Sequence, residues 1–305
     1  MLPVLKVKLG DITFASPITV ASGTYGYGNE VEGLAEVNRL GGIVTKSVTR
    51  HPREGNPLPR ITETPSGMLN SIGLANVGVE MYCKEKLPFL NELKTQVIVN
   101  IAGSSMGDYL ETMDMLEEAD GNHIGYEINI SCPNVKEGGM EFGVSCEMTE
   151  KLTKEMRRRT SKLLIMKLSP NVTSITEIGL AAQDGGADAV SAINTVVGMG
   201  IDVEKRCVKL HTVFGGLSGP AIKPIALANV HKLYKVLSIP IMGLGGIASA
   251  EDVLEFILAG AHMVQIGTTN YINPNIGVDI LQELEAYCTE NGLKNILELK
   301  GQLNS

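Results

Sequence analysis

Cys132 follows the strand-like residues of GYEINISCPN (Gly125–Asn134), a run that reads as a buried strand entering a proline-pinned turn. Ile128 and Ile130 are apolar and β-branched, as a strand inside an α/β core requires. Asn129 and Ser131 alternate with them, so two polar groups share one face. A thiol beside amides at the C-terminal tip of a strand suits an active site. It also suits plain packing, because free cysteine is among the most buried residue types.

Two lysines sharpen the choice. Lys46 (TKSVT) and Lys167 (IMKLSP) sit inside otherwise apolar strands, where an unpartnered ammonium is costly. Either alone could be snorkelling or salt-bridged. Together, at matching strand ends, they imply a shared anionic or electron-rich ligand. GLGGI (Gly243–Ile247), followed by SAEDV, and QIGTT (Gln265–Thr269) put bare backbone amides before helix N-termini. Such amides form a phosphate cradle, unless the glycines merely permit tight turns. GLGGI does not match GxGxxG and lies outside an N-terminal βαβ unit, so no nicotinamide site is expected. SGMLNSIGLAN (Ser66–Asn76) reads as a non-periodic polar loop, the kind of segment that carries function or simply turns.

The elements that must position these groups alternate along the chain. Strands are expected at Ile18–Ser22, Gly42–Ser47, Val97–Ala102, Tyr126–Ser131, Leu163–Leu168, Ala189–Asn194, Ile241–Leu244 and Met263–Ile266. Helical patterns lie between them. Ser249 caps Ala250–Leu258, which Gly260 stops, and Ser174 opens a helix that ends at Gly185-Gly186. Ala221–Leu237 is a third. About eight right-handed βα units in ~300 residues predict an α/β protein, a closed (β/α)8 TIM barrel, with a doubly wound sheet as the alternative. The chain reads as one domain, residues 1–305, with an N-terminal extension and an insertion, Arg50–Asn76, after the second strand. That insertion is expected to cover the barrel mouth. Polar groups and glycines cluster at the predicted strand ends, where such barrels place catalytic residues.

Composition sets limits. Among 305 residues, 44% are hydrophobic and 20% charged, with a net charge of -8; no nucleic acid or anionic membrane is expected as a partner. Arg157-Arg158-Arg159 reads as a solvated helix face. Cys83, Cys132, Cys146, Cys207 and Cys288 form no CxxC pair, so no metal or cluster held by this chain is expected. No long apolar segment is present, and a reducing cytoplasm is the expected location.

Taken in order, TKSVT, NSIGLAN, VNIAG, NISCPNVKEGG, IMKLSP, INT, GGLSGPAIKP, GLGGI and QIGTT resemble the class 1 dihydroorotate dehydrogenases over nearly the whole chain. NVKEGGMEFG and INTVVGMGID…GGLSGPAIKP are similar to the class 1B catalytic subunit rather than the fumarate-reducing class 1A enzyme. The resemblance implies oxidation of dihydroorotate to orotate with Cys132 as catalytic base. It implies substrate contacts from Lys46, Asn70, Ser71, Ile72, Gly73, Leu74, Asn129, Asn194 and Thr195. It implies one FMN held by Ser22, Lys46, Ser47, Asn100, Asn129, Lys167, Ile193, Gly219, Gly245, Gly246, Gly267 and Thr268. It further implies a homodimer within a heterotetramer, with FAD and a 2Fe-2S cluster on a partner subunit that passes electrons to NAD. Ser71 and Ala75 depart from the family pattern, where alanine and glutamine are expected. A class 1A activity, a flavin barrel acting on another dihydropyrimidine, and a non-enzymatic barrel are the alternatives.

Overall fold

The computed structural model describes residues 3–131 and 142–304. Eight parallel strands close into a barrel: β1 (Ile18–Val20), β2 (Gly42–Val44), β3 (Gln96–Ile101), β4 (Gly125–Asn129), β5 (Leu163–Leu168), β6 (Ala189–Ala192), β7 (Ile241–Leu244) and β8 (Met263–Ile266). Each coincides with an expected strand, and β8 pairs β1 through Gln265↔Thr19 to complete the ring. Period-two alternation separates the two faces. Glu127 and Asn129 on β4 point one way with Asn100 and Lys167, while Tyr126 and Ile128 pack on the other side in the continuous core.

Outside the barrel lie α1 (Met106–Glu118), α2 (Cys146–Arg157), α3 (Ile175–Asp184), α4 (Lys223–Tyr234), α5 (Ala250–Ala259) and α6 (Ile276–Glu290). Four of them open on a serine whose hydroxyl accepts the N3 amide: Ser105 from Asp108, Ser145 from Met148, Ser174 from Glu177 and Ser249 from Asp252. Such caps satisfy amides that the helix cannot. Gly260 ends α5 in the left-handed region, φ 117°, where a Cβ would be strained. The β1–β2 and β2–β3 connections depart from a regular helical layer. The first has only 3₁₀ turns, and the second breaks into short pieces, Gly78–Met81 and Leu87–Asn91, around a π-turn. The arginine run is paired as a helix face should be, with Arg157 on Asp188, Arg158 on Glu155 and Arg159 on Asp114. Among the described residues, no helix is long and apolar enough to cross a membrane.

Two additions shape the molecule beyond the barrel. Val7–Leu9 pairs antiparallel with Ile12–Phe14 as an N-terminal hairpin. The insertion after β2 is more ordered than a loop. Ile61–Thr64 and Gly67–Asn70 form a hairpin that joins Gly215–Ser218 and Val196–Gly198 in a four-stranded antiparallel sheet. GMLN (Gly67–Asn70) is therefore a strand, which corrects the loop expected over Ser66–Asn76 at that point. Its partners lie on both sides of it, and one of them is some 146 residues away in sequence.

Candidate active site

The strand tips meet on one rim. At the end of β2, Ser47 is buried and its hydroxyl donates to Asn100 Oδ1 of β3 at 2.5 Å. The Asn100 amide Nδ2 donates to Glu127 Oε1 of β4 at 2.7 Å, and Lys167 Nζ of β5 reaches the same oxygen at 3.4 Å. Glu127 Oε2 accepts from Ser191 of β6 at 2.8 Å and from Gln265 Nε2 of β8 at 2.6 Å. One fully buried carboxylate thus ties β4 to four other strands, and its roughly four acceptor sites are filled.

Lys167 is consequently salt-bridged, as one of the two readings of a lone strand lysine allowed. Lys46 differs. It is half-buried just past β2, and its ammonium has no hydrogen bond or ion pair among the described residues. Burial pushes it below the ordinary lysine range; the field of Glu30 opposes that shift and Arg60 adds to it. A partly desolvated cation without a counter-ion favours an anion at this point.

One layer above Glu127, Asn129 Oδ1 accepts from Asn194 Nδ2 at 3.2 Å, and Asn194 Oδ1 takes the Thr195 amide at 2.8 Å. Asn70, the last residue of the strand Gly67–Asn70, donates through its side chain to the Gly216 carbonyl of the neighbouring strand at 3.3 Å. Through Asn70–Asn76, Gly73 (φ 74°) passes so close to Asn56 that a Cβ would lie 2.6 Å from its amide nitrogen. Leu74 also adopts a positive φ, 56°, and Asn76 Nδ2 holds its carbonyl at 2.7 Å. The Ser71 hydroxyl is buried without a hydrogen-bond partner among the described residues. Ile72 shares this loop, its carbonyl accepting from the Asn56 amide.

After β7 and β8 the backbone supplies donors. Gly246, Gly267 and Thr268 make no backbone hydrogen bond through their amides among the described residues. Gly246 (φ 80°) is hemmed by Lys223 and Gly219, so that a Cβ would meet Lys223 Cβ at 2.8 Å. Gly245 packs on Ala226, and Ile193 is buried beside it. Gly219 lies against Gly67, and Thr268 donates to Ser218 Oγ at 2.8 Å. Ser22 stands at the tip of β1.

In one respect the expected cradle differs. The start of α5 is already capped: Asp252 Oδ2 accepts the Ala248 and Ser249 amides at 2.7 and 2.9 Å, and Lys223 pairs with Oδ1. Asp252 is held below the usual carboxylate range: burial opposes this, but the Lys223 and amide hydrogen bonds outweigh it. The available donors are therefore the glycine amides ahead of the helix, not the helix end itself. After β8 the first turn is a short 3₁₀ piece, Thr268–Tyr271.

The arrangement can bind a flat, polar, partly anionic group. Asn100, Asn129 and Asn194 offer amides and Lys46 a charge, while bare backbone donors lie to one side. An FMN fits on these grounds: the unpartnered Lys46 ammonium and the unfilled Gly246, Gly267 and Thr268 amides are the donors that a flavin and its phosphate require. Cys132 lies outside the described residues. Glu127, Ser191 and Gln265 were not singled out from the sequence, although Glu127 falls on the same period-two face as Asn129.

A model of the family described as dihydroorotate dehydrogenase matches residues 4–288. The chain belongs to the dihydroorotate dehydrogenase family. Members of that family are oxidoreductases that act on dihydroorotate, and the rim described above is where this one carries its polar groups. Three relatives illustrate how much of the chain is shared. One from Desulforamulus reducens is 51% identical over 97% of each chain. One from Porphyromonas gingivalis is 49% identical over 98% of this chain and 97% of its own. One from Geotalea uraniireducens is 46% identical over 99% and 98%. All three are named dihydroorotate dehydrogenase B (NAD(+)), catalytic subunit.

Proposed function

We propose that this chain is the catalytic subunit of an NAD-linked dihydroorotate dehydrogenase of pyrimidine biosynthesis. The observation that carries the proposal is the rim itself: three asparagine amides, with a lysine and glycine amides that have no partner among the described residues, gathered at the strand ends of a member of this family. The relatives' names support the NAD-linked reading over the fumarate-reducing one.

In this proposal the whole chain is one FMN-binding domain. Ser22, Lys46, Ser47, Asn100, Asn129, Lys167, Ile193, Gly219, Gly245, Gly246, Gly267 and Thr268 would hold FMN, which when bound supplies the acceptor for the hydride that dihydroorotate gives up. Cys132, as thiolate, takes the proton from the neighbouring ring carbon. Lys46, Asn70, Ser71, Ile72, Gly73, Leu74, Asn129, Asn194 and Thr195 would orient the ring. Lys46 offers positive charge to the substrate carboxylate, and the asparagines, each both donor and acceptor, match a ring diamide. A partner subunit with FAD and 2Fe-2S would carry electrons onward to NAD, with two copies of this chain in a heterotetramer in the cytoplasm.

Turnover of the purified, FMN-loaded chain tests this. Dihydroorotate should reduce an artificial dye through the isolated chain, while fumarate supports no turnover and NAD requires the partner subunit. Fumarate-driven turnover would place the enzyme in class 1A. A preference for dihydrouracil would change the substrate, and a chain that takes up no flavin would refute the proposal.

A further inference from the structure

Among the described residues, Glu127 is the one carboxylate in the ring of polar side chains below the rim, and its two oxygens do different work. Oε2 faces Ser191 and Gln265, neither of which belongs to the proposed binding set. Oε1 faces Asn100 and Lys167, which both do. Because the Ser47 hydroxyl donates to Asn100 Oδ1, only the amide end of Asn100 can turn toward the carboxylate. Lys167 is nearly as buried, 6% exposed, so the two opposite charges offset each other in a region of low dielectric. A buried ion pair is a weak way to stabilise a barrel, since apolar side chains of similar volume serve as well or better. Its position beneath the site therefore calls for another role.

We propose that Glu127 is a positioning residue for the flavin site: anchored by Ser191 and Gln265, it holds the Lys167 ammonium and the Asn100 amide in place and offsets the lysine's charge, and so sets the reduction potential of the flavin held there. The inference rests on the proposed FMN reading. Glu127→Gln suits as a probe because it keeps the shape of the side chain. Its new amide can donate to Gln265, whose Oε1 is buried without a partner among the described residues and can be turned to face it.

The midpoint potential of FMN bound to the full-length chain, measured by equilibrium reduction against a reference dye, provides the test. Glu127→Gln leaves the lysine charge uncompensated, which favours the more negative reduced flavin, and should shift the potential positive. Lys167→Met should shift it negative. The double variant removes both charges and should lie between the two singles, close to wild type. A Glu127→Gln variant at the wild-type potential, or a double variant that keeps the full shift of either single, would overturn the proposal; a purely structural carboxylate would give the first result. If Glu127→Gln does not fold, Gln265→Met strips one donor from the same carboxylate and should move the potential negative, with no shift again overturning it. A wild-type chain that binds no FMN refutes the flavin reading instead, so the two failures are distinct.

Discussion

Lys167→Met keeps the length of the side chain and removes its charge, leaving Glu127 fully buried without a counter-ion. Breaking such a pair from one side costs about 3–5 kcal/mol, because the surviving charge stays desolvated. Asn100, Ser191 and Gln265 still donate to the carboxylate, and hydrogen bonds to a charged group are worth about 1.5–3 kcal/mol each, which places the cost near the lower bound. With an m-value of about 3 kcal/mol/M in urea, a loss of about 3 kcal/mol lowers the unfolding midpoint by ~1 M. The chain has no tryptophan, so far-UV circular dichroism is the readout. Lys154→Met, which breaks an exposed pair with Glu150, is the control and should cost at most about 1 kcal/mol. Adding Glu127→Gln to Lys167→Met removes the stranded charge and should recover most of the loss. A Lys167→Met midpoint no lower than that of the control, or a double variant no better than the single, would refute the reasoning.

Other expectations concern the chemistry and the pH response. Cys132→Ala should leave the protein yellow but slow flavin reduction by dihydroorotate at least ~100-fold; stopped-flow absorbance reads this, and near-normal reduction would remove Cys132 from the mechanism. Lys46→Gln deletes the uncompensated cation and should weaken FMN or orotate binding by about 10- to 100-fold, the worth of one charged hydrogen bond, as followed by fluorescence titration. Burial holds His123 at a pKa of about 4 rather than 6.5, with Lys162 adding to the shift and Glu117 opposing it. The unfolded chain then takes up that proton first as pH falls, so stability is intact above about pH 6.5 and declines by about 3 kcal/mol on the way to pH 4. His123→Gln should flatten that part of the urea-midpoint profile, and an unchanged profile would assign the loss to other groups.

All eight barrel strands were legible because each is a short apolar, β-branched run between turn residues, and the serine caps and Gly260 marked helix ends by local chemistry. Asn100, Asn129 and Lys167 stood out as polar groups inside such runs. Glu127 carries the same signal, a charge inside an apolar strand two residues before Asn129. What the sequence could not show was its partners: Ser191 and Gln265 lie 64 and 138 residues away, and only barrel closure brings them together. The outer sheet escaped for the same reason. Gly215–Ser218 (GGLS) carries two glycines and Gly67–Asn70 (GMLN) a glycine and an asparagine, all poor strand formers alone, and the two segments gain their conformation from each other. At the start of α5, Asp252 lies in the first turn, where an acid is favourable, yet its carboxylate also occupies amides that a phosphate could otherwise have used.

The central claim is that this rim binds a flavin and oxidises dihydroorotate. Its most direct test is the visible spectrum of the purified full-length chain after FMN loading, recorded under anaerobic conditions before and after dihydroorotate is added. The account predicts one bound FMN per chain whose oxidised absorption band bleaches on addition. A bound flavin that stays oxidised with dihydroorotate, or no bound flavin at all, would contradict it.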